Sequence, residues 1–257
     1  MLTYQRLGIS ERDYNDLKLK FDNKINHINK TVIKSNYKQE DGYFIAYFAK
    51  LDRITFGVDK QYYIEFKSSK VTDKSSNSRE ITTGCDFGLE VIWKNSIKEE
   101  ITNEASWKED PFKEDNWQKD PKLRKAIVGQ AKNKINLSTT EKRNLEEQLN
   151  KMQGLKVSYV VMFRCENDKG IIVQIGEDES LNETPIPLSE YIIDYFLACL
   201  HGVTDPNLVE KMLKSDLDFR VKITSNLPKP KPKPKPKPKP TSDLGPESRT
   251  KRKPRMK

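Results

Sequence analysis

Residues 125–163 read KAIVGQAKNKINLSTTEKRNLEEQLNKMQGLKVSYVVMF. Lys125 to Ala131 is a short apolar run, long enough for a strand and too short for a helix. Thr140 is placed to cap a helix in which Leu145, Leu149 and Met152 line one face and Gly154 ends the run. Val157 to Phe163 is almost continuously apolar, as expected of a strand buried on both faces. Strand, helix and buried strand in succession point to a sheet with helices packed on it.

Working outward, Cys85 to Trp93 (CDFGLEVIW) reads as a further strand, and Gly170 to Ile175 as a hairpin partner for the apolar strand. Between Cys85–Trp93 and Lys125, residues 94–124 are charged, hold Trp107 and Trp117 and contain two Asp-Pro steps, so they read as an irregular excursion. Residues 68–79 form a polar Ser/Lys loop. The aromatic and β-branched segments 43–49 (YFIAYFA), 53–57 (RITFG) and 61–67 (QYYIEFK) read as strands. Ser10 with Asp13 three residues on resembles a capping box, and Leu17, Phe21, Ile25 and Ile28 recur on one helical face. The spacing predicts a helix over roughly 11–29. Towards the C-terminus, Ser189 is placed to cap a helix to about Leu200, and Asp205-Pro206 opens another with Pro at its first position. Residues 1–227 are therefore expected to be one α/β or α+β domain, a mixed central sheet flanked by helices.

Charge divides the chain differently. Residues 228–257 hold twelve Lys or Arg against Asp243 and Glu247, a net of +10, while the whole chain carries +9. The body is thus close to neutral, at −1. From Pro228 to Pro240 proline alternates with lysine, which forbids helix and ladder hydrogen bonds and favours an extended polyproline II spacer. It leads to TKRKPRMK, in which Lys251, Arg252, Lys253 and Arg255 form a basic patch suited to phosphates. The expected state of this tail is disordered.

Cys85, Cys165 and Cys199 are three and widely spaced, with only His27 and His201 beside them. No zinc spacing appears, and an odd number of thiols suits a reducing compartment. The N-terminal residues lack an apolar signal region. The longest apolar stretch, Tyr191 to Leu200, is broken by Asp194 and too short to span a bilayer. The expectation is a cytoplasmic protein with no membrane partner.

The chemistry rests on Asp86, Gln130 and Lys132. Gln-x-Lys alone is uninformative in a chain so rich in lysine, so its context must carry the reading. Gln130 and Lys132 lie two apart at the end of a strand and project to one face. Asp86 opens the preceding strand, so an acid and a polar-x-Lys can converge at the sheet edge. Carboxylate and amide oxygens there suit Mg²⁺, a hard cation. A lysine beside it can orient water or offset phosphate charge. Against this, Asp86 read alone is a turn or cap residue, Gln130 and Lys132 an ordinary exposed strand end, and Glu11 a solvated acid in the first turn of its helix. Glu65-Phe66-Lys67 is a rival Glu-x-Lys without a preceding acid on a neighbouring strand. Asp86-Phe87-Gly88 matches the kinase magnesium motif, but no Gly-rich loop or His-Arg-Asp precedes it. Trp107 and Trp117 fit packing of the excursion better than base stacking.

Glu80-x-x-Thr83-Gly84-x-Asp86, then Gln130-Ala131-Lys132, a helix carrying Gln148-Leu149 and a strand with Ser158-Tyr159 resemble the PD-(D/E)xK nuclease superfamily, and more closely its Gln-x-Lys, Mrr-like branch. The resemblance covers about residues 10–175. It implies a restriction-endonuclease-like fold and phosphodiester cleavage with Mg²⁺ or Mn²⁺. Asp86 would be the principal metal ligand, Gln130 would occupy the second ligand position, and Lys132 would be the catalytic lysine. Glu80 and Glu11 are additional acids, Glu80 also as a metal ligand. The implied substrate is nucleic acid, DNA in preference to RNA. Defence against foreign DNA would suit such a nuclease, a homodimer would suit double-strand cleavage, and a partner protein is a further source of specificity. Two other readings stay open: a catalytically inactive nucleic-acid-binding module, and an interaction protein acting through its Lys-Pro tail.

Overall fold

A computed structural model of the chain describes residues 2–33, 40–58, 62–70, 84–94, 123–154, 158–165, 170–177, 180–181, 184–213, 217 and 219–228. The first helices are α1 (Thr3–Leu7), α2 (Glu11–Ile33) and α3 (Glu40–Leu51). Strands β1 (Thr55–Val58), β2 (Tyr62–Lys70), β3 (Phe87–Trp93) and β4 (Leu123–Lys132) follow. Helix α4 (Thr139–Gly154) connects to β5 (Tyr159–Arg164) and β6 (Ile171–Glu177). Two short strands, β7 (Ser180–Leu181) and β8 (Ile186–Pro187), precede α5 (Leu188–Glu190), which continues as a π-helix over Tyr191–Leu197. Helix α6 (Pro206–Leu213) and strand β9 (Phe219–Ser225) complete the set.

The nine strands form one mixed sheet in the order β1-β2-β9-β3-β4-β5-β6-β7, with β8 also on β6. The pairs β9/β3 and β4/β5 are parallel and the others antiparallel. The α/β class, with a mixed sheet between helices, is as the sequence predicts. All of β3 is buried, as are the central positions of β4 and β5, because helices cover the sheet on both sides. On one side α2 and α3 pack against β1, β2 and β4. There Phe21 stacks on Phe66 and meets Phe56 edge-on, while Phe48 meets Phe219. The π-helix joins this layer through Asp194, which accepts from the Tyr14 hydroxyl at 2.6 Å and pairs with Lys18 at 3.1 Å. On the other side Leu145 and Leu149 of α4 cover Val161 and Phe163.

Several expectations are corrected. Residues 43–49 are helix, not strand. Tyr43, Phe44, Tyr47, Phe48 and Leu51 are all buried at helical spacing, and Ile45 is the only β-branched residue among 43–49, so the run is one broad apolar helix face. Ser138, not Thr140, caps α4: its hydroxyl accepts from the Glu141 N–H, and Glu141 accepts from the Ser138 N–H at 2.7 Å. Ser189 lies inside α5, which starts at Leu188 after Pro187. Asp205 does cap α6, accepting from Asn207 and Leu208. Leu123 and Arg124, read with the excursion, open β4 because they pair with Trp93 and Ile92. Ser68 to Lys70, read as loop, extend β2 along β9. The rest of the excursion, with Trp107 and Trp117, lies outside the described residues, as do residues 71–83 and the tail beyond Pro228. Among the described residues no helix is long and apolar enough to cross a membrane.

Candidate functional site

Asp86 directly precedes β3, with its backbone held on two sides. Its N–H donates to the Gly129 carbonyl at 2.9 Å, and its carbonyl accepts from the Phe219 N–H at 3.4 Å. Two glycines allow this approach. Gly84 sits at φ +68°, and a Cβ there would lie 2.5 Å from the Gln148 carbonyl oxygen of α4. At Gly129 a side chain would collide with the Phe87 ring, its cross-strand partner. The chain before Asp86 is thereby wedged against α4, and the carboxylate is directed onto β4.

The side chain is only 4 % exposed, and Gln130 is fully buried. Asp86 Oδ1 accepts from Gln130 Nε2 at 3.0 Å and Oδ2 accepts from the Ala131 N–H at 2.8 Å. These two donors compensate a carboxylate removed from water. Gln130 Nε2 also donates to the Gly84 carbonyl. Gln130 Oε1 is buried and has no hydrogen-bond partner among the described residues. A buried amide oxygen without a donor is costly, and here it stands one pair away from a carboxylate.

Lys132 follows Gln130 by two residues on β4 and is half-buried, so strand alternation places it on the same face at the end of the strand. The structure therefore brings Asp86 and Gln130 into contact and sets Lys132 one pleat beyond. It does not bring Glu11 to them. Glu11 is exposed in the first turn of α2, and the next residues of that helix are tied to the π-helix through Tyr14 and Lys18. Glu80, Lys251, Arg252, Lys253 and Arg255 lie outside the described residues. Glu65 and Lys67 stand on β2, separated from β3 by β9.

The donor set can be tested against a divalent cation. Asp86 presents carboxylate oxygens beside Gln130 Oε1, which lacks a donor among the described residues, so a hard cation would find oxygen ligands here. Among the described residues no group of three or more His, Cys, Asp or Glu is arranged to hold a metal. Two protein oxygens suit Mg²⁺, which keeps much of its coordination as water and substrate phosphate.

Sequence reasoning passed over β9, which contributes to the same face of the sheet. Its signal was present: Phe219, Val221 and Ile223 alternate with Arg220, Lys222 and Thr224, a period of two. The apolar set is buried on one face; on the other, that of Glu90 in β3, Arg220 and Lys222 are half-buried and Thr224 is buried. Arg124 on β4 clasps Glu90, its Nη2 at 2.6 Å and Nε at 2.7 Å from Oε1. No family model, curated protein or solved structure matches this chain.

Proposed function

We propose that this protein is a metal-dependent endonuclease that hydrolyses phosphodiester bonds, DNA in preference to RNA. The observation that carries the reading is the buried contact between Asp86 and Gln130, with Lys132 one pleat further on the same face. Asp86, aided by Gln130 Oε1, would hold Mg²⁺ or Mn²⁺. When bound, such an ion eases deprotonation of water and offsets charge on the scissile phosphate. Ala131 N–H fixes the Asp86 carboxylate in orientation. The Lys132 ammonium supplies a positive charge to a phosphate oxygen as negative charge develops there. Covered β-strands exclude water around Asp86, which strengthens each of these interactions.

A second reading, a nucleic-acid-binding module without cleavage, draws on a different detail. Gln130 turns its NH₂, not its oxygen, to Asp86, so the amide serves the carboxylate as a hydrogen-bond donor. Calorimetric titration with Mn²⁺ separates the two. The nuclease reading predicts binding to the wild type and none to Asp86→Asn. Absence of Mn²⁺ binding to the wild type, in the presence of duplex DNA, sinks it.

A further inference from the structure

Lys125 stands on β4 and is 1 % exposed, a rare degree of burial for a lysine. Its Nζ donates to the Phe196 carbonyl at 2.6 Å and lies 5.0 Å from the centre of the Phe196 ring. Phe196 belongs to the end of the π-helix, where helix carbonyls attract a cation. The same carbonyl accepts from the Cys199 N–H at 3.2 Å. The lysine amine and the cysteine backbone thus converge on one oxygen atom. The Cys199 sulfur turns to that amine, within hydrogen-bonding reach of it. A side chain at Gly202 would collide with Lys125, so the chain that follows Cys199 leaves room for the lysine stem.

Holding the end of the helix asks only for the lysine. The sulfur is an addition, and it stands where a side chain is unwelcome. Cys199 has φ +55°, the left-handed region that glycine usually fills just past a helix end. Burial pushes the Cys199 thiol up, while Lys125 pulls it down. Cys199 is half-buried, so a small oxidant has access to it although the lysine is enclosed.

We propose that Lys125 and Cys199 form a covalent cross-link when the protein meets a peroxide, and that a thiol reductant opens it. In the first step the sulfur attacks hydrogen peroxide. The O–O bond breaks, an S–O bond forms, and the thiol becomes a sulfenic acid with release of one water. In the second step the unprotonated Lys125 amine attacks that sulfur. An S–N bond forms, the S–O bond breaks, and the hydroxyl leaves as a second water with a proton from the nitrogen. Sulfur gives up two electrons, and the peroxide takes them. The second step is intramolecular between groups already in contact, which favours it over further oxidation. Two equivalents of an added thiol return the amine and the Cys199 thiol and leave as a disulfide. The cross-link ties the end of the π-helix to β4, the strand that carries Gln130 and Lys132. The inference does not depend on the nuclease reading.

The test treats the full-length chain with hydrogen peroxide, blocks the remaining thiols and maps a glutamate-specific digest by mass spectrometry. The expected product joins the Lys125 peptide to the Cys199 peptide with the loss of two hydrogens, and dithiothreitol separates them. A cross-link of the same two residues that retains one oxygen, consuming a second peroxide and releasing a further water, also supports the pair. Cys165→Ser is expected to cross-link as the wild type does, which separates this product from a Cys165–Cys199 disulfide. Lys125→Arg keeps a donor for the Phe196 carbonyl but does not close the link. Its Cys199 is therefore expected to persist as sulfenic acid and to take up dimedone several-fold more than the wild type. Thermal melts show whether that variant is folded; if it is not, the peptide map of the wild type decides alone. The oxidised wild type is expected to melt higher than the reduced protein, because a link between distant residues restricts the unfolded chain. Three results overturn the proposal: Cys199 oxidised to sulfinic acid beside an unmodified Lys125, Cys199 joined to another residue, and Cys199 still reduced when Cys165 is oxidised. Equal dimedone uptake by wild type and folded Lys125→Arg overturns it as well.

Discussion

Asp86 and Gln130 form a donor–acceptor pair whose balance predicts the behaviour of two substitutions. Asp86→Asn keeps the shape of the side chain. A flip of the Gln130 amide would give its orphaned Oε1 a donor from the new Asn, while Nε2 would leave the Gly84 carbonyl, one hydrogen bond gained for one lost. Stability is then expected to stay within about 1 kcal/mol of the wild type by denaturant titration, while cleavage is lost. Gln130→Glu sets a second carboxylate against Asp86 in a buried place, where like charges repel. This variant is expected to melt lower in EDTA than the wild type, and to gain more in Tm from Mn²⁺, since ligand binding stabilises only the folded state. A variant that gains nothing from Mn²⁺ would remove Asp86 and Gln130 as a cation site. Gly84→Ala forces a side chain against the Gln148 carbonyl from a left-handed backbone. A loss of about 1–3 kcal/mol is expected by denaturant titration. The convergence of Asp86 with Gln130 was legible because an acid at one strand start and a polar residue at the next strand end had to meet in an antiparallel pair. The unpartnered Oε1 was not, since it depends on which way an amide turns.

Elements were legible where one period dominated. Helix α2, with apolar residues at steps of 4, 4 and 3, lies where it was expected, as do the strands built from CDFGLEVIW, KAIVGQA and VSYVVMF. YFIAYFA failed because seven consecutive apolar residues fit a buried strand and a buried helix equally well; packing on β2 and β4 decided it. Strand β9 pairs with partners distant in sequence, β2 and β3, so no local turn announced it. The cap of α4 has its own test. Hydrogen bonds from Ser138, with help from Lys134 at 3.2 Å, lower the Glu141 carboxyl from 4.5 to about 2. A lowered folded-state value contributes stability above pH 4.5, and this is lost as pH falls towards 2. The Tm difference between the wild type and Glu141→Gln is therefore expected to shrink across that window. A difference that stays constant from pH 6 to about 2 would contradict the capping role.

Across the whole molecule, α2 and α3 cover one face of the sheet, while α4 and, beyond α6, Leu217 over Gly88 cover parts of the other. The Asp86 site sits beside α4 on that second face. The neutral body and strongly basic 228–257 segment predict a division of labour. Deleting residues 229–257 is expected to leave cleavage intact at low salt and to weaken it increasingly as salt rises, because tail cations add salt-sensitive phosphate contacts. Equal loss at every salt concentration would mean the tail serves another purpose. The most direct test of the central claim is a cleavage assay on plasmid DNA, linear DNA and RNA with Mg²⁺, Mn²⁺ or EDTA, comparing the wild type with Asp86→Asn and Lys132→Ala. The account predicts cutting of DNA only with metal, abolished by Asp86→Asn and reduced on the order of 10²–10³-fold or more by Lys132→Ala. Metal-independent cutting, or cutting that survives Asp86→Asn, would contradict it.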